Sequence, residues 1–160
     1  MIDPVIAYED RPYRPCVGIV LLNKNNHVLV GQRLDNMVEA WQMPQGGIDD
    51  GETPIEAGFR EMGEEIGTNK AEFIAEHSQW LDYDIPLEIA DRLWQSKFRG
   101  QSQKWLAFRF TGVDDDINIA TEEPEFKSWK WAEPAELPKL VVPFKRDVYQ
   151  SILDEFADLL

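Results

Sequence analysis

The chain of 160 residues contains one cysteine, Cys16, so no disulfide can close within it. Long apolar runs are also missing. The fullest, "VGIVLL", is far shorter than the roughly 20 residues a membrane-spanning helix requires. The opening, "MIDPVIAYEDRP", lacks the basic-then-apolar order of a secretory leader. Histidine is scarce: His27 and His77 stand isolated, which fits structural or solvent-facing roles. Basic residues are outnumbered, 16 Lys and Arg against 30 Asp and Glu, for a net charge of −14. As a whole, such a surface repels nucleic acid. A polyanionic substrate would therefore need metal ions or a local basic cluster. These shortages exclude a disulfide scaffold and a membrane span, and they fit a cytoplasmic protein.

Apolar residues are not short, at 43%, enough for one domain with a real core and against a disordered chain. "CVGIVLLN" (16–23) and "HVLVGQRL" (27–34) read as strands joined by the turn "NKNN", a hairpin. "EAWQMPQGGIDDGE" (39–52), rich in Gly, Pro and Asp, reads as a loop. Residues 72–86 read as strand then loop, 87–95 as a short helix, and 103–112 and 126–134 as strands. Phe144, Val148, Ile152 and Phe156 recur every four residues, which predicts an amphipathic helix over 144–160. Strands mixed with two substantial helices imply one α/β (α+β) layered domain over residues 1–160.

The sharpest signal lies between. Thr53-Pro54-Ile55-Glu56 forms a capping box with proline at the first helical position, and Gly67 is a natural stop. A helix turns about 100° per residue, so Ile55, Phe59, Met62 and Ile66 share one stripe, the expected core side. Glu61, Glu64 and Glu65 crowd an arc roughly opposite, with Ala57 and Gly58 one turn earlier. Like charges at that spacing destabilise a helix. A solvated acidic face is the ordinary explanation. A divalent cation held by oxygen ligands is the other, and it would let an acidic protein hold a polyphosphate. Arg60 lies between the two faces, within reach of a bidentate contact.

From Gly46 the sequence reads "GGIDDGETPIEAGFREMGEEIGT". In the spacing of Gly46, Glu52, Arg60, Glu61, Met62, Glu64, Glu65 and Gly67, residues 46–68 resemble the signature of the Nudix hydrolases. Thr68 departs from the large aliphatic residue usual at the end. The resemblance implies a mixed β-sheet sandwiched between α-helices, and hydrolysis of a nucleoside diphosphate linked to another group with Mg²⁺ or Mn²⁺. It implies Glu61, Glu64 and Glu65 as metal ligands, joined by the Gly46 carbonyl. Glu52 and Arg60 would brace the motif, and Glu64 or Glu65 would take a proton from the attacking water. Glu125, in "EEPEF", matches the place of an extra metal-binding or basic carboxylate.

Segments outside the motif, "YRPCVGIVLLN", "WLDYDIP", "GQSQKWLAFRF", "PEFKSWKW" and "VPFKRDVY", resemble bacterial RNA pyrophosphohydrolases and asymmetric diadenosine tetraphosphate hydrolases alike. That implies 5′-triphosphorylated RNA or a dinucleoside polyphosphate as substrate; the short apolar runs predict no membrane, and no stable protein partner is inferred. Arg14, Arg33, Lys104, Lys145 and Arg146 are candidates for the local basic cluster. Tyr83 and Phe144 are candidates for base stacking, though Phe144 also fits the apolar stripe of the last helix. Two rivals remain: a hydrolase of damaged nucleoside triphosphates, and a non-catalytic nucleotide- or RNA-binding module of the same fold. "DDDINIATEEPE" (114–125) mimics a calcium loop but has Ile119 where the sharp turn needs glycine.

Overall fold

The hairpin predicted from the first two strands forms at its tip and then splays apart. Strand β1 (Tyr13–Leu22) turns through Asn23–His27 into β2 (Val28–Arg33), meeting it antiparallel at Leu22 and Val28. Beyond the tip each strand finds other partners. β1 runs parallel to β7 (Gly100–Phe110), from Tyr13 opposite Gly100 to Leu22 opposite Arg109. β2 pairs with β8 (Phe126–Ala132). The computed structural model describes residues 6–34 and 39–160. Residues 1–5, the start of the expected domain, and 35–38 lie outside the described residues.

Residues 39–52, expected to be loop, contain two short strands, β3 (Trp41–Gln42) and β4 (Gln45–Gly47). Two or three residues around a proline carry no periodicity, so sequence alone does not reveal them. β3 pairs antiparallel with β2, and β4 pairs antiparallel with β1, placing Gly46 opposite Val17. β5 (Ala71–Glu76) and β6 (Leu81–Asp84) complete the mixed sheet against β7. The short helix expected over 87–95 is α2 (Leu87–Ala90) alone, followed by a left-handed turn at Trp94–Ser96.

Strand alternation sends side chains to two faces, each covered by helices. On one face Val17, Ile19, Leu21, Leu106 and Phe108 pack against Met62 and Ile66 of α1 (Pro54–Ile66). On the other, Val20, Leu22 and Trp105 pack against Leu137 of α3 (Leu137–Leu140) and Val148, Tyr149 and Ile152 of α4 (Arg146–Glu155). The expected sheet sandwiched between helices is therefore present. Truncating fully buried Met62 to alanine would cost roughly 2–5 kcal/mol. Among the described residues no helix is long and apolar enough to cross a membrane.

Two helices differ from the reading of their sequences. α4 begins at Arg146, not Phe144; Phe144 sits in a 3₁₀ turn ahead of it and is exposed, while Tyr149 joins the stripe. The proline at 143 opens that separate turn. The buried arc of α1 is wider than the apolar stripe: Ala57, Gly58, Glu61 and Glu65 are buried with Met62 and Ile66, whereas Ile55 and Phe59 are only partly covered. The small residues explain this. A side chain starting at Gly58 would come within 3.0 Å of Phe108, so the helix settles close against β7.

Candidate metal and phosphate site

The capping box closes as drawn from sequence. Thr53 Oγ1 accepts from the Glu56 N–H at 3.2 Å, and the Glu56 carboxylate accepts from the Thr53 N–H. Gly67 ends α1 in the left-handed conformation (φ 73°), which only glycine adopts readily. The loop before the helix is pinned by Arg60. Its Nε and Nη2 donate to the two oxygens of Glu52 at 2.7 and 2.9 Å, and Nη2 also donates to the Gly47 carbonyl at 2.8 Å. The paired guanidinium holds the Glu52 carboxyl down to about 2. Arg60 Nη1 is shared by Glu61 (2.9 Å) and Glu64 (3.1 Å). Arg60 thus ties the loop and two of the three acids into one unit.

The three motif acids are not equivalent. Glu64 is exposed, whereas Glu61 and Glu65 are 9% and 6% accessible. The Gly46 backbone lies so close to Glu61 that a β-carbon there would fall inside the carboxylate. Burial pushes the Glu61 carboxyl up to about 7 against the pull of Arg60. Glu65 is raised well above the usual range by burial first and by the charges of Glu61 and Glu125 second, while the Gln45 backbone N–H donates to it.

A cleft of about 550 Å³ opens over these acids, lined by Arg60, Glu61, Gly63, Glu64 and Glu65 on α1 and by Thr121, Glu122, Glu123 and Glu125 across it. Glu65 Oε2 and Thr121 Oγ1, both from its lining, are buried without a hydrogen-bond partner. Glu125 lies 3.8 Å from Arg33. Among the described residues no three acids are drawn tightly enough to grip an ion as they stand. The donor set nevertheless suits a hard cation, which takes carboxylate and carbonyl oxygens. An unpartnered carboxylate oxygen, two raised carboxyls and an abutting backbone strand are what such an ion would satisfy. The calcium-loop mimic is otherwise employed: Asp114 accepts from the Trp131 indole and Asp116 from Lys70 and the Val113 N–H.

The predicted basic and aromatic residues divide. Lys145, 7% accessible, donates to Gln45 Oε1 at 3.3 Å, and its ammonium lies 5.6 Å from the Tyr83 ring. Burial, then the nearby Arg33 charge, brings the Lys145 ammonium down to about 8. Arg14 lies against Gly47, 3.7 Å from Cys16 Sγ and under the Trp94 ring. Phe144 lies 6.1 Å from the Tyr83 ring. Tyr83 itself is buried, its hydroxyl donating to Gln101 Oε1 at 2.7 Å. Of these two rings, Phe144 is the one open enough to offer a stacking face. Arg14, Arg33, Tyr83, Phe144 and Lys145 therefore gather beside β4. Lys104 and Arg146 make no hydrogen bond or ion pair among the described residues; the Lys104 charge acts on Glu155 at the end of α4, and Arg146 is exposed. His77 is buried, its ring nitrogens engaged by Ser151 and the Gln79 N–H. Sequence reasoning missed Gln45, whose backbone meets Glu65 and whose side chain meets Lys145; only its place beside the Gly46-Gly47 pair hinted at it.

The NUDIX domain profile matches residues 12–152. The chain belongs to the Nudix family. It is 55% identical over 147 residues to the RNA pyrophosphohydrolase of Roseobacter denitrificans, covering 91% of this chain and 92% of that protein. It is 52% identical over 151 residues to the RNA pyrophosphohydrolase of Rickettsia conorii, covering 94% of each. Solved Nudix relatives share the fold at low identity. The E. coli dihydroneopterin triphosphate pyrophosphohydrolase superposes with a TM-score of 0.68 at 19% identity, over 92% of this chain and 99% of that one. A C. elegans Ap4A hydrolase complex gives 0.62 at 19%, over 89% and 98%.

Proposed function

We propose that this Nudix hydrolase removes pyrophosphate from 5′-triphosphorylated RNA in the cytoplasm, leaving a 5′-monophosphate. One observation carries the reading: β4 separates a buried carboxylate cluster from a cluster of cations, and Gln45 touches both. A polyphosphate laid across β4 would have its reacting end over α1 and the rest of the chain beside Arg14, Arg33 and Lys145. Both relatives described above bear the name RNA pyrophosphohydrolase, which supports the substrate class.

We assign Glu61, Glu64, Glu65, Glu125 and the Gly46 carbonyl to a site for Mg²⁺ or Mn²⁺. Such an ion supplies charge neutralisation along the phosphate chain and a lowered pKa for bound water. Arg60 has to release Glu61 and Glu64 to free those oxygens, while Nε and Nη2 keep the loop through Glu52 and Gly47. Glu64, the solvent-reachable acid, is placed to accept the proton of an attacking water. Glu65, fixed by the Gln45 N–H, is placed to hold rather than to shuttle. Lys145 and Arg14 hold phosphate oxygens, and the open face of Phe144 takes a base.

A dinucleoside polyphosphate offers the same phosphate chain and is the second substrate to test. The protein is incubated with Mg²⁺ and a triphosphorylated RNA oligonucleotide, with diadenosine tetraphosphate in parallel. Pyrophosphate and a 5′-monophosphate end are expected from RNA. No turnover of either, or of any nucleoside triphosphate, would leave only a binding module.

A further inference from the structure

Arg14 is held in place without an acid. Among the described residues it forms no ion pair. Its Nη1 reaches only Cys16 Sγ, a weak acceptor at 3.7 Å, and its Nη2 lies against Gly47, where a side chain would collide with it. The remaining partner is Trp94: the guanidinium lies over the indole, 5.3 Å from the ring centroid. A ring attracts a cation through its quadrupole and cancels none of its charge. A carboxylate in the same place would cancel the charge and fill the fork that reads phosphate.

Trp94 reaches Arg14 from an unusual backbone. It opens a turn in which three consecutive residues other than glycine, Trp94, Gln95 and Ser96, are left-handed, at φ 49°, 58° and 61°. Elsewhere among the described residues only Asn26 shares that conformation without being glycine, and asparagine tolerates it. Left-handed backbone costs the other residue types free energy and persists where the surroundings over-determine it. Here the Ser96 hydroxyl donates to the Asp91 carbonyl at 2.8 Å, and the Ser96 and Lys97 N–H groups donate to the Leu93 and Trp94 carbonyls. The Phe98 ring meets Trp94 edge to face at 5.7 Å. Asp91 is in turn tied to buried Arg11 at 2.7 Å. What this strained and braced turn delivers is an indole over the Arg14 cation. We propose that Trp94 is a positioning residue for the polyphosphate chain: its ring orients the Arg14 guanidinium, which holds the phosphate oxygens. This rests on the phosphate reading of Arg14.

The test is a double-mutant cycle between Trp94 and Arg14, read by titration calorimetry with inorganic tripolyphosphate and Mg²⁺. Trp94→Leu keeps apolar bulk without a ring and should weaken binding roughly 3–30-fold, the span of a cation–π contact. KM for triphosphorylated RNA should rise by a similar factor, with kcat within a few-fold. Trp94→Phe keeps a ring and should recover part of the loss. In an Arg14→Gln background, Trp94→Leu should weaken binding no further, because the group it orients is gone. Binding by Trp94→Leu equal to wild type overturns the proposal. So does an equal loss in both backgrounds, the mark of packing alone, or a Trp94→Phe variant no better than Trp94→Leu. Should Trp94→Leu unfold, Trp94→Phe in the two backgrounds decides the same point. Tripolyphosphate binding that Arg14→Gln leaves intact, or that the wild type lacks, removes the phosphate reading of Arg14 and this proposal with it. Wild-type protein that binds tripolyphosphate but cleaves no RNA would instead remove the functional reading, with the role of Trp94 still read from binding.

Discussion

The two sides of β4 handle charge in opposite ways. On the α1 side, Glu61 and Glu65 are packed against backbone by the clearance that Gly46 and Gly58 provide, and one oxygen is left without a partner. On the α4 side the buried cation, Lys145, rests on neutral groups, the Gln45 carbonyl and the Tyr83 ring. Taking a charge out of water is costly unless it is paired. The acidic side is thus under electrostatic tension, of the kind the proposed ion would relieve. The basic side is eased by amides that leave its charge available to an anion. In a protein of net charge −14, the proposed hold on a polyanion rests on these two surfaces meeting at one short strand.

The largest expected effect comes from removing the tension outright. Glu65→Gln keeps the shape and the Gln45 N–H contact but removes the charge of the proposed metal ligand, so kcat/KM should fall by several orders of magnitude. Its metal-free melting temperature should not fall, because a buried charge has been replaced by a neutral amide. Steady-state kinetics and a thermal melt on the same sample check both. Activity near wild type would mean that the acidic side is only packing. A smaller loss is expected from Arg60→Lys, which cannot span both Glu52 oxygens and the Gly47 carbonyl. Disturbing a group that orients ligands typically costs about 10–100-fold in activity or metal affinity. Raising Mg²⁺ should recover part of it, a titration that separates loop positioning from chemistry.

The acids also predict a pH dependence that the basic side opposes only slightly, and only near the top of the range, where the lowered Lys145 ammonium begins to lose its proton. The carboxyls of Glu61 and Glu65 are raised in the folded protein, Glu61 to about 7. A raised acid binds its proton more tightly folded than unfolded. Its stabilising contribution is present below about 4.5 and is lost as pH climbs through 7. Denaturant unfolding in EDTA should show the protein on the order of 1–3 kcal/mol less stable at pH 8 than at pH 5. Mg²⁺ should close most of that gap. A rise in stability with pH would mean that Arg60, not burial, governs Glu61.

How much of this was legible beforehand depends on the range of the interaction involved. The capping box, the Gly67 stop and the spacing of Glu61, Glu64 and Glu65 are local, and all are visible in the chain. The exposure of those acids is not. A wheel of apolar residues places Glu61 and Glu65 away from the core, yet they are buried, because glycine rather than an apolar side chain lets Phe108 and β4 approach. β4 was unreadable for the same reason: three residues with two glycines take their strand from β1, not from their own pattern. Tyr83 and Phe144 are both stacking candidates in sequence, and only the fold sends the Tyr83 hydroxyl to Gln101 and leaves the Phe144 ring open.

The smallest effect sharpens the comparison from inside α1. Gly46 and Gly58 are there because neighbouring atoms press on them, but around Gly63 an added β-carbon meets nothing within 4 Å. Glycine within a helix costs about 1 kcal/mol relative to alanine. Gly63→Ala should therefore stabilise the fold by up to about 1 kcal/mol in denaturant unfolding, whereas Gly58→Ala, pressed against Phe108, should destabilise it. Gly63 also lines the cleft beside Glu64, so the kinetics of Gly63→Ala carry separate information. A more stable but slower enzyme would mean that the open space belongs to the substrate or its metal. A more stable and equally fast one would mean that the wall at Gly63 stays clear of both.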